Sequence, residues 1–140
     1  MTAAMAERAQ AEARRNPRYR WLGEQPRSRT LRTLAVSQLC VISSRMEGGA
    51  NALSEAIVAS VPVLASYISG NAGILSPDYP GFYSVGSTHQ LAQLMTRAET
   101  DPKFLAELKT RVKKLAPLFN PAREERAWAD LICELQLNSH

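Results

Sequence analysis

Cysteine is scarce in this chain of 140 residues: Cys40 and Cys133 stand far apart, in apolar surroundings and at no metal-ligand spacing. That argues against a disulfide framework or a thiolate metal site and for two buried free thiols. Long apolar runs are lacking as well. None approaches the roughly 20 residues that cross a bilayer, and the first fifteen residues, with Glu7 and Glu12 among arginines, have no apolar centre of a secretory leader. A cytoplasmic location with no membrane contact is therefore expected. The phosphate-loop pattern G-x4-G-K-S/T has no match, which excludes the nucleotide loop of ATPases and kinases. Internal repeats and low-complexity segments are also missing. Aromatics are few, and only Tyr19 and Trp21 lie among the arginines of the first third. A nucleic-acid-binding surface interleaves aromatics with its basic residues, so it ranks last among the functional readings.

What is present fits one domain, residues 1–140. With 45% hydrophobic and 21% charged residues the chain has the balance of a globular protein that buries a core. Its net charge of +4 is uneven: Arg8, Arg14, Arg15, Arg18, Arg20, Arg27, Arg29, Arg32 and Arg45 face only Glu7, Glu12 and Glu24 in the first third. That third either meets an anion or is a solvated helix face.

Residues 2–15 lack helix breakers and read as a helix ended by Asn16 and Pro17. Arg18 to Leu22 alternates and predicts a short strand stopped at Gly23. Leu31, Leu34 and Ala35 give a helical stripe between Pro26 and Ser37, and Leu39 to Ile42 is a buried strand. After Gly48 and Gly49 a helix is expected over Ala50 to Ala59, then a strand over Val61 to Ala65, ending at Ser66. Residues 67–81, with Gly70, Gly73, Pro77, Pro80 and Gly81, read as a long loop with room for at most one helical turn. Phe82 to Val85 is a last short strand. Ser87 and Gln90 form a capping-box pattern for a helix carrying Leu91, Leu94, Met95 and Ala98. Asp101 and Pro102 start a helix faced by Phe104, Leu108, Val112 and Leu115, and Asn120 and Pro121 start another carrying Trp128, Leu131, Ile132 and Leu135. Strands alternating with helices predict an α/β fold, a partial doubly wound parallel sheet.

The stretch "SRMEGGANALSE", Ser44 to Glu55, carries the chemistry. Glycines between a strand and a helix let backbone approach a ligand, and the unpaired amides at a helix start favour an anion. In parallel sheets such crevices lie at the carboxyl ends of the strands. Phosphate would repel Glu47 and Glu55, so these carboxylates suit sugar hydroxyls, whose donors a carboxylate can accept two at a time. Sugar hydroxyls on both sides of a diphosphate describe a nucleotide sugar. Asn51 and Glu55 share one helix face while Leu53, Ala56 and Ile57 point the other way. Two bland readings stand beside this one: Glu47 as a helix cap or dipole partner, and Glu55 paired with an arginine.

"EGGANALSE" is an E-x7-E motif. With "SSR" before it and "AIVASVPVLAS" after it, the segment from Arg18 to about Val85 resembles the nucleotide-binding, C-terminal half of retaining family-four glycosyltransferases of the GT-B fold. "SRMEGGAN", "GNAGIL", "DYPGFYSVG" and "PLFNPAREERAW" are most similar to the branch that includes the selenosugar synthases, which join a sugar from a UDP-sugar to selenophosphate. The resemblance implies that Glu47 contacts the transferred sugar as the catalytic residue and that Glu55 holds the ribose. It implies that Gly48, Gly49, Asn51 and Ala52 present amides to diphosphate and sugar, and that "RWLG", including Trp21 and Gly23, frames the base. Arg45 either touches a phosphate or pairs with Glu47. Ser69, Gly70 and Asn71 fall near the acceptor side, or form a tight turn. No cofactor or metal is implied.

The acceptor domain of such enzymes, and the basic pair that precedes this segment in them, have no counterpart here. The expectation is a UDP-sugar-binding portion that is inactive or nearly so alone, with the helix of residues 121–140 docking on a missing domain and exposed sheet edge favouring a homodimer. A non-catalytic module binding a nucleotide or sugar phosphate is the alternative.

Overall fold

The computed structural model describes residues 2–46, 50–120 and 122. They fall into two compact units, one ending at Arg32 and one beginning at Thr33. The expected terminal helix, with Trp128, Leu131, Ile132 and Leu135, lies outside the described residues, as do Cys133, Glu47, Gly48 and Gly49.

In the first unit α1 spans Ala3–Arg15. Thr2 caps it, its Oγ1 accepting from the Met5 amide at 3.3 Å. Arg14 and Arg15 occupy its last turn, where cations complement the helix dipole. None of its residues is buried, so this helix rests on local propensity and on the Glu12–Arg15 ion pair. The strand expected over Arg18 to Leu22 does not form; the segment is turn and irregular backbone. Alternation alone does not make a strand, because each needs a neighbour to satisfy its amides and carbonyls, and this segment pairs with none of the three strands described below. Helix α2, Arg27–Ala35, runs across the boundary between the units.

The second unit is the expected parallel α/β layer. Strands β1 (Cys40–Ile42), β2 (Val63–Ser66) and β3 (Phe82–Tyr83) stand in the order β1-β2-β3. All pairings are parallel, with Ile42 opposite Ala65 and Ser66 opposite Tyr83. Helix α3 (Ala50–Val58) joins the first two strands and α4 (Ser69–Leu75) the next two. The central strand β2 is buried throughout, as a near-continuous apolar run in a sheet covered on both faces should be.

Residues spaced for a helix face explain α3: Leu53, Ala56 and Ile57 are fully buried while Asn51 and Ala52 are exposed. Its end is a Schellman turn. The Val61 amide donates to Ala56 O at 3.0 Å, the Ser60 amide donates to Ile57 O at 2.9 Å, and Ser60 takes the left-handed φ of 56°. Val61, one residue on, is buried, which anchors the turn to the core.

The loop expected over residues 67–81 is shorter than its glycines suggested. Seven of its residues form α4, with Leu75 buried on the core. The last strand covers only Phe82–Tyr83. Two tyrosines lock this region. Tyr79 Oη donates to Val63 O at 2.7 Å and Tyr83 Oη to Ile42 O at 3.1 Å. Burial of each phenol pushes its pKa up, so both hydroxyls keep their protons and remain donors.

Helices α5 (Thr88–Thr100) and α6 (Pro102–Leu115) complete the core, followed by a 3-10 turn, Ala116–Phe119. Ser87 caps α5 by accepting from the Gln90 amide at 3.3 Å. The Gln90 side chain reaches back to the Ser84 amide at 2.7 Å rather than to Ser87 itself. Asp101 caps α6 through the Lys103 and Phe104 amides, and Phe104, Leu108 and Val112 are buried as their spacing requires. Cys40 is a half-buried free thiol whose pKa burial raises.

One ion pair ties the turn after α4 to α6: Arg111 donates to Asp78 Oδ2 at 2.7 Å, and Ser76 Oγ donates to Asp78 Oδ1 at 2.6 Å. These two bonds hold the Asp78 carboxyl down at about 2. A depressed carboxylate pKa adds stability above the unfolded-state value near 4 and loses it as pH falls toward 2. Asp78→Asn should therefore lower the melting temperature slightly at pH 7 and much less at pH 2, where the carboxyl is about half protonated. A difference as large at pH 2 as at pH 7 would assign the effect to packing instead.

Candidate functional site

The three parallel strands all end at one edge of the sheet, so the segments that follow Ile42, Ser66 and Tyr83 share that edge. It is the edge where ligands bind in open parallel sheets. The segment after β1 leads to the start of α3, the segment after β2 to α4, and the segment after β3 to α5.

Ser66 organises this edge. It is 1% exposed, and its Oγ donates to Ser44 O at 2.6 Å, pinning the segment that carries Arg45 against the end of the central strand. The Ser66 carbonyl accepts from the Ile68 amide at 3.0 Å and from Asn71 Nδ2 at 2.9 Å. Asn71 is also 1% exposed. Buried polar side chains of this kind are retained when their hydrogen bonds are made. The carbonyl of Ile42, the last residue of β1, is held by the Tyr83 hydroxyl. The exits of all three strands are thus cross-tied by side chains of the sheet and of α4.

The sequence-predicted residues divide as follows. Arg45 is exposed on the pinned segment, beside exposed Met46. Asn51 and Ala52 are exposed on the first turn of α3, and Glu55, one turn on, is half-buried and engaged with a neighbouring group. The structure therefore brings Arg45, Asn51, Ala52 and Glu55 to one edge, on the segments that flank Glu47, Gly48 and Gly49. Trp21 is half-buried and Gly23 has a φ of 64°, both in the unit of residues 2–32. The site described here is built from the second unit alone. Ser69, Gly70 and Asn71 form neither a tight turn nor an open loop: they are the first residues of α4, and the Asn71 amide faces inward to the sheet.

Sequence reasoning passed over Ser66 and gave Asn71 the wrong surroundings. The available signal was a polar residue closing a four-residue apolar strand and an asparagine five residues later.

A helix start behind a strand, a carboxylate one turn along that helix and an arginine on the approach can bind an anion flanked by hydroxyl groups. Among the described residues, no group of three or more His, Cys, Asp or Glu is placed to hold a metal ion, and no helix is long and apolar enough to cross a membrane. The fold is thus that of an α/β protein of the Rossmann-like class, with a parallel sheet joined by helices. Residues 4–115 match the family model of glycosyl transferases group 1, and the chain belongs to that family. No curated protein matches it.

Proposed function

We propose that this chain forms the donor side of a glycosyltransferase and binds a nucleotide sugar, a UDP-sugar in the first instance, at the carboxyl edge of its sheet. Glu55 holds the ribose hydroxyls. The amides around Gly48, Gly49, Asn51 and Ala52 receive the diphosphate, and Glu47 contacts the transferred sugar. The observation that carries the reading is the conjunction of the family match over residues 4–115 with Glu55 lying one turn into the helix that follows the double glycine.

The electrostatics support it. Amides fixed at a helix start need no reorganisation to stabilise a departing diphosphate, and Arg45 adds a cation on the same approach. In the "SRMEGGAN" and "DYPGFYSVG" wording, selenophosphate finds support as the acceptor, while the family match stops at the broader group. Calorimetric titration with UDP tests the nucleotide role. Glu55→Ala should weaken binding by about 1 to 3 kcal/mol, as expected when charge-assisted hydrogen bonds are lost. Equal affinity of the two proteins would remove Glu55 from the ribose.

A further inference from the structure

An exposed aromatic side chain stands at the edge of the sheet that carries the candidate site, outside the motif. Tyr67 directly follows Ser66, at the exit of the central strand, and at 50% it is the most exposed aromatic side chain among the described residues. The two other tyrosines of this region, Tyr79 and Tyr83, are buried and spend their hydroxyls on strand carbonyls. Tyr67 makes no side-chain hydrogen bond among the described residues. Its contact is with Phe82, edge to face, at 5.1 Å between ring centroids and 81° between planes. Phe82 is in turn backed by Tyr79, at 5.5 Å and 76°.

The backbone beneath Tyr67 is fixed on both sides. Its amide donates to Tyr83 O at 2.8 Å, and the next amide, that of Ile68, donates to Ser66 O at 3.0 Å. The same Ser66 holds the Ser44 carbonyl at 2.6 Å, so the segment that carries Arg45 is tied to the residue just before this tyrosine. A ring that is half in water, held at its edge by Phe82 and carried on a fixed backbone is preorganised for a ligand. Hexose rings present C–H faces that pack on such rings while their hydroxyls go to polar groups, the mix of aromatic wall and few polar groups common in small-molecule sites.

We infer that Tyr67 is a specificity-determining residue of the donor site, its ring forming the wall against which the sugar of the nucleotide sugar packs. This rests on the donor-binding reading above and adds the residue that separates nucleotide sugar from bare nucleotide. The ring, rather than the hydroxyl, makes the contact.

Calorimetry distinguishes the cases. The probe is whichever of UDP-glucose, GDP-mannose and ADP-glucose the chain binds most tightly, with its own nucleoside diphosphate as reference. Tyr67→Leu should weaken the nucleotide sugar roughly threefold to tenfold and change the diphosphate by less than about twofold, and Tyr67→Phe should leave both within about twofold. Equal weakening of both ligands by Tyr67→Leu would mean a structural role and overturn the inference, as would no weakening at all. A loss in Tyr67→Phe as large as in Tyr67→Leu would move the contact to the hydroxyl and overturn the ring assignment. If Glu55→Ala weakens both ligands while Tyr67→Leu weakens neither, this inference fails and the donor reading stands. Absence of binding to all three nucleotide sugars by the unsubstituted chain overturns both.

Discussion

Gly81→Ala is expected to destabilise the second unit by about 3 kcal/mol, the upper range for forcing extra atoms into a packed core. A Cβ on Gly81 would lie 2.6 Å from the Val63 carbonyl oxygen and 2.7 Å from Tyr79 Cε1, with Leu108 Cδ2 at 3.1 Å. Neither close neighbour can yield cheaply. The carbonyl belongs to the central strand, and it is the acceptor of the Tyr79 hydroxyl. The Gly81 carbonyl itself accepts from the Ala65 amide at 3.0 Å, so moving residue 81 away would weaken the β2 to β3 pairing at its first bond. Urea unfolding followed by far-ultraviolet circular dichroism measures the change. A loss below about 1 kcal/mol would show that the turn before β3 slides outward without disturbing the sheet.

Phe104→Ala should cost about 3 to 5 kcal/mol, the range for emptying the space of a buried aromatic side chain. The ring is 1% exposed in the core, and the Arg97 guanidinium lies 4.0 Å from its centroid. Arg97 also pairs with Asp101 at 3.6 Å, and Asp101 caps the helix that carries Phe104. The corner between α5 and α6 thus combines a cap, an ion pair and a cation over a ring. Phe104→Leu, which keeps most of the volume, should cost about half as much. If the two substitutions unfold the protein at the same urea concentration, the ring face and its cation contribute more than the filled volume.

The fold was legible wherever an apolar run was bounded by breakers. β1 and β2 read correctly because Cys40–Ile42 and Val63–Ser66 are short apolar stretches between polar turns, and α3 because Leu53, Ala56 and Ile57 repeat at helical spacing. Helix α4 was missed because Gly70 and Gly73 are poor helix formers; burial of Leu75 and Asn71 outweighs that preference. The strand near Tyr19 was read from alternation, which reports a pattern of side chains and not the presence of a neighbouring strand. At the candidate site, the motif's Arg45, Asn51, Ala52 and Glu55 fall on the segment after β1 and on α3, which starts at the edge where the strands end. Ser66 and Tyr67 escaped notice because a serine ending a strand and a tyrosine after it look like ordinary surface residues. Their surroundings, a carbonyl 22 residues earlier in the chain and a ring 15 residues later, are set by strand pairing.

Ser66 donates to the segment after β1 through its hydroxyl and accepts from α4 through its carbonyl. Loosening of either segment therefore removes a bond from the same buried residue, and the opening of one lowers the cost of opening the other. Order travels by the same route. A molecule that stills the segment around Arg45 would reduce the fluctuations of α4 without touching it, and anything that stills α4 would return the favour by the same free energy. The two sides of this edge behave as one thermodynamic element.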